Sequence, residues 1–187
     1  MPPTPVAMSW PEYYVSWHEF YLMAGTAAVT LAGLLFVSLS LHIEALIHET
    51  HEHLLQLARI VLFSFLAVLL LSLVMLVPAE TMRITSVEMI ILGGGFLLLT
   101  RAQLRWRPKV QHSGFTLQQV RRRTILPMLG YSLMALTGAL TLATKDQLMM
   151  NLAISSVGML LGNALGASWD LLVRVARIKR EDARQES

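Results

Sequence analysis

Four stretches of the chain, residues 20–41, 60–77, 124–143 and 148–169, run almost wholly apolar and contain no Asp, Glu, Lys or Arg. Crossing ~30 Å of hydrocarbon takes about 20 helical residues at 1.5 Å each, so every one of them is close to the length of a membrane span. None shows the strict apolar–polar alternation of a barrel strand, and in lipid only helices and closed barrels satisfy their own backbone hydrogen bonds. A fifth apolar run, Met89–Thr100, is too short alone. Counting back from Arg101 as an interface anchor extends it to 81–100 and places Glu88 inside the span. The pattern therefore predicts an all-α, polytopic membrane helix bundle of five transmembrane helices forming a single membrane domain over 1–187. Residues 1–19 precede the first span and 170–187 form a polar tail.

Charge adds an orientation. Only 14% of the residues are charged, against about a quarter in soluble domains, and the basic ones fall in blocks at the connectors. With the N-terminus outside, five spans place thirteen of the fifteen Lys and Arg in the cytoplasm, all but Arg83 and Lys145, as the positive-inside rule requires. The blocks "RAQLRWRPKVQHSGFTLQQVRRR" and "RVARIKREDAR" then read as topology determinants and contacts to anionic lipid, and a nucleic-acid partner is not expected. The first twenty residues contain no Lys or Arg, unlike the basic start of a cleavable signal peptide, so the first helix is expected to remain in the mature protein. Trp10, Tyr13, Tyr14, Trp17, Phe20 and Tyr21 read as an outer aromatic anchor at headgroup level. The absence of cysteine excludes disulfides and thiol chemistry.

"LHIEALIHETHEHLLQLAR", residues 41–59, gathers four of the six histidines between the first two spans. A continuous helix would place Glu44, His48 and Glu52 on one face with His51 beside them, and His53 follows. That set offers imidazoles and carboxylates to a divalent transition metal, or a group titrating near neutral pH. It does not contain HExxH, since Glu52 stands four after His48 and Leu55 four after His51. The main reading is a polar cytoplasmic elbow of a helical hairpin, with pH or metal modulation as the alternative; no resident cofactor is expected.

Within the spans, "SSVGMLLGNALGASWD" aligns Gly158, Gly162 and Gly166 on one helix face, a doubled GxxxG that lets a second backbone approach closely, either inside the subunit or between subunits. Asn163 lies on another part of that helix. The first span combines Gly25 and Gly33 with Thr26, Thr30 and Ser38, which predicts a central helix or a narrow pore lining. Glu88 is the intramembrane ionisable candidate. Gly93–Gly94–Gly95 marks close packing or a flexible point.

The stretch "LAGLLFVSLSL", residues 31–41, resembles the first helix of small bacterial multi-pass proteins to which no activity is assigned. The resemblance implies a protein of the bacterial inner membrane and brings no chemistry with it. The residues themselves contain no nucleophile elbow, metalloprotease signature, phosphate loop or dinucleotide fingerprint, so an enzyme is not expected. The reading that remains is a homo-oligomeric channel or pore, modulated at the His/Glu elbow. The alternatives are a regulatory or scaffold subunit bound to another membrane protein and, third, an ion- or proton-coupled transporter.

Overall fold

The computed structural model describes residues 9–41, 52–77, 81–105 and 117–185, and among these every regular element is a helix. In chain order they are α1 (Trp10–Leu41), α2 (Glu52–Leu76), α3 (Met82–Arg105), α4 (Leu117–Thr144), the single turn α5 (Gln147–Met150) and α6 (Leu152–Gln185). Five segments are long and apolar enough to cross a membrane: Trp10–Leu41, Leu57–Leu76, Met82–Gln103, Thr124–Thr144 and Gln147–Val173. The third span, the one with the weakest apolar run, is thus a full helix. Glu88 sits half-buried in it and is engaged by a partner.

Local chemistry accounts for the helix ends. Ser9 caps α1: its N–H and its Oγ both donate to Glu12 Oε2, at 2.9 and 2.8 Å, and its carbonyl accepts from Tyr13 N–H at 3.0 Å. The bond from Ser9 N–H satisfies one of the orphan donors of the first turn, and α1 begins ten residues before the apolar run. At the start of α3 the carbonyl of Thr81 accepts from Ile84 and Thr85 N–H. Between α4 and α5 the chain turns in two residues: Lys145 takes a left-handed conformation, φ 57°, while donating to Thr141 O, and Asp146 then caps α5 by accepting from Leu148 N–H at 2.9 Å.

The second span is the centre of the bundle. Half of its residues, 50%, are buried, whereas α1 buries 22% and lies at the edge. Val61, Phe65, Ala67, Val68, Leu71 and Met75 of α2 are sealed against α1, α3 and α6. The expectation of a central first helix is therefore corrected. Its hydroxyls need no neighbour, because Thr26, Thr30 and Ser40 donate to the carbonyls four residues back, at 2.8, 2.8 and 2.9 Å, and can face lipid at little cost.

The tightest helix pair is α3 with α4. A Cβ on Gly93 would stand 2.6 Å from Ala135 N and 2.7 Å from Tyr131 O, and one on Gly138 only 2.5 Å from Ser86 O. Backbone meets backbone at both points, where only glycine fits. Gly130 receives Leu160 of α6, and Gly25 receives Ser72 of α2.

Candidate functional site

The small-residue face predicted on the last span exists and is uncovered. Gly158, Gly162 and Gly166 are exposed, and a Cβ on any of them would meet nothing within 4 Å. Ser155, Leu165, Trp169 and Leu172 share this outward side, Trp169 at 69% exposure. The other side of the same helix supplies the bundle contacts through Ala153, Val157, Leu160, Ala164, Ala167 and Leu171. One side of this helix is therefore used inside the subunit, and the glycine side is open. Of the two readings left by the sequence, packing of the glycine face within the subunit is not what the fold does among the described residues.

The polar residues of α6 divide by how they are satisfied. Ser156 donates to Ala153 O and Ser168 to Ala164 O, at 2.7 and 2.8 Å, so both are closed on their own helix. Asn163 is half-buried on the flank of the glycine face. On α1, Thr26, Thr30, Gly33 and Ser40 line one outward strip, and no atom lies within 4 Å of a Cβ on Gly33. Ser38 is half-buried with a partner. Gly25, unlike Gly33, is a true contact glycine.

Two polar junctions tie the bundle together, and sequence reasoning did not single them out. Toward the end of the bundle where α2 and α4 begin, Tyr131 Oη and Ser64 Oγ lie 3.2 Å apart, with Ser64 also donating to Ile60 O. The Tyr131 ring stacks on Phe96 at 5.5 Å, and Phe96 meets Phe63 edge-on. At the opposite end, where α1 begins, Tyr13 Oη donates to Asn151 Oδ1 at 2.6 Å and Tyr14 Oη to Thr85 Oγ1 at 3.1 Å. Tyr13 and Tyr21, two of the six rings read as an interfacial anchor, are buried in the core of the bundle. A signal was available: tyrosines at a helix end, with Thr and Asn at the matching ends of other spans.

Ser72 Oγ, Thr100 Oγ1 and Thr141 Oγ1 are buried without a hydrogen-bond partner. No cluster of three or more metal-ligating side chains occurs among the described residues. The elbow candidates Glu44, His48 and His51 lie outside those residues, and Glu52 and His53 are described only as positions at the start of α2. No protein-family model matches the chain, and neither the curated proteins nor the solved structures compared with it gave a significant match.

Proposed function

We propose that the protein is a homo-oligomeric membrane channel whose subunits meet along the glycine face of α6. The observation that carries this reading is the open Gly158–Gly162–Gly166 surface. Each glycine costs a helix about 1 kcal/mol relative to alanine, and a groove without side chains gains little from lipid but much from a second backbone. The interior of the subunit supports the choice of pathway. Tyr21, Phe65, Leu71, Met89, Tyr131, Met134 and Leu160 fill it with fully buried side chains, so a water-filled route belongs between subunits. The outward strip Thr26–Thr30–Gly33–Ser40 on α1 offers hydroxyls for its lining. The basic connectors, assigned to the cytoplasm of a bacterial inner membrane, would concentrate anions at the pore mouth and bind anionic lipid.

The test compares Gly162→Leu with Gly162→Ala in purified, detergent-solubilised protein and in liposomes. Gly162 is exposed on the outward side and an added Cβ there meets nothing within 4 Å, so the fold should persist while the particle mass falls and ion flux is lost. Alanine should preserve both. A wild-type particle containing a single chain, or a Gly162→Leu variant with unchanged mass and flux, refutes the proposal. A single chain that co-purifies with another membrane protein would favour a regulatory subunit instead.

A further inference from the structure

The closest helix contacts and the hydrogen bonds between helices follow different boundaries in this bundle. Glycine seats lie inside two groups of helices. A Cβ on Gly25 of α1 would stand 3.0 Å from Ser72 Cβ of α2. Gly93 and Gly138 bring the backbones of α3 and α4 together, and Gly130 of α4 receives Leu160 of α6. α1 packs most extensively on α2, whereas α3 and α6 each pack most extensively on α4. The chain thus divides into a body of α1 and α2 and a body of α3 to α6. Three hydrogen bonds between side chains cross from one body to the other. Two of them, Tyr13 Oη to Asn151 Oδ1 at 2.6 Å and Tyr14 Oη to Thr85 Oγ1 at 3.1 Å, sit together at the end where α1 begins. The third, between Ser64 and Tyr131 at 3.2 Å, lies farther along the bundle, beside the edge-on contact of Phe63 with Phe96.

We propose that the two bodies rock against each other about the Ser64–Tyr131 and Phe63–Phe96 contacts, and that the paired tyrosines of α1 are the clasp that holds the other end shut. Inside each body the glycine seats leave no room for a shift without overlap, so each moves as a unit. Between the bodies the contact is of another kind. α2 contains no glycine, and it meets α3 through side chains such as Phe63 on Phe96, which slide and repack as in shear motions of packed helices. Adjacent helical residues point about 100° apart, which lets Tyr13 and Tyr14 reach two different helices from one turn. A side-chain hydrogen bond inside a membrane bundle changes an equilibrium by only about three-fold on average, so two of them close this end without fixing it permanently. On α3, Thr85 stands eleven residues from Phe96, a lever of about 16 Å at 1.5 Å per residue. A rigid-body rotation of about 15° on that lever parts the clasp by about 4 Å, enough to break both bonds. The movement opens Thr85, fully buried beneath the closed clasp. This inference stands whether or not subunits assemble into a pore.

The chain has no cysteine, so spin labels can be placed in pairs at exposed positions without background. Val15 with Ile84 reports across the bodies at the clasp, Leu66 with Leu98 across them near the pivot, and Ile84 with Leu142 inside the second body. Distances are measured on the full chain in vesicles of phosphatidylcholine and phosphatidylglycerol, with the clasp intact, with Tyr13→Phe and Tyr14→Phe combined, and with Thr85→Val. Phenylalanine keeps both rings and valine keeps the shape of threonine, so the apolar packing persists. Thr85→Val breaks the clasp from the opposite body, so the test does not depend on how α1 tolerates substitution. The share of a longer Val15–Ile84 distance should rise about three-fold in Thr85→Val and close to ten-fold in the double variant, while the other two pairs stay unchanged. The proposal is overturned if neither variant changes the Val15–Ile84 distribution, if Ile84–Leu142 lengthens along with it, or if Leu66–Leu98 moves as far as the pair at the clasp.

Discussion

Alanine substituted at Gly93 and at Gly94, adjacent in sequence and alike in composition, should act in opposite directions. At Gly93 the new methyl would lie 2.6 Å from Ala135 N, 2.7 Å from Tyr131 O and 2.9 Å from Ala135 Cβ, while at Gly94 it meets nothing within 4 Å. Ordinary contact begins near 3.4 Å, so the first substitution requires α3 and α4 to separate by close to an ångström. Two of the obstructing atoms are backbone and cannot turn away. Overpacking of this kind costs about 1–3 kcal/mol, and backbone obstruction puts Gly93→Ala toward the upper end. Alanine recovers about 1 kcal/mol of helix propensity at either site. The net expectation is a loss of about 1–2 kcal/mol for Gly93→Ala and a gain of up to ~1 kcal/mol for Gly94→Ala. Reversible unfolding in mixed micelles, followed by helical circular dichroism, measures both on one scale. Equal stability of the two variants would refute the backbone-to-backbone approach of α3 and α4.

Three further expectations rest on single observations. Lys145 holds φ 57° in the α4–α5 turn, and Lys145→Gly should stabilise the protein by about 1 kcal/mol in the same unfolding assay, since a left-handed backbone costs a side chain roughly that much; destabilisation would mean that the lysine has a compensating role. Ser72 Oγ is buried without a partner, so Ser72→Ala should be neutral or stabilising by about 1 kcal/mol, and a clear loss of stability would show that the hydroxyl is bonded. Single cysteines at Thr4 and Ser187 should react with an impermeant reagent from opposite sides of the membrane; labelling from the same side would refute the assignment of the N-terminus outside and the C-terminus inside.

The spans were legible in the sequence because membrane crossing is a local property. A helix bonds its own backbone and hydrocarbon thickness sets the length it needs, so 20–41, 60–77, 81–100, 124–143 and 148–169 each fall, to within a residue at the ends, on one of the five apolar helical segments. The first of these segments begins ten residues earlier, and the last is stepped at Asn151. What a glycine touches depends instead on the rotation of its helix and on which neighbour lies opposite. Gly93, Gly94 and Gly95 differ by about 100° of rotation each, and only the first meets another backbone. The doubled GxxxG of α6 is the strongest packing pattern in the chain, yet the fold leaves it open. Gly130 and Gly138, eight residues apart with Met134 between them, form no such motif and nevertheless seat α6 and α3. The hydroxyl-rich α1 was expected at the centre, but threonines that bond the carbonyl four residues back carry no demand for a protein partner. Its place at the edge was settled by the apolar faces of α2, which can be buried on several sides at once only from the middle of the bundle.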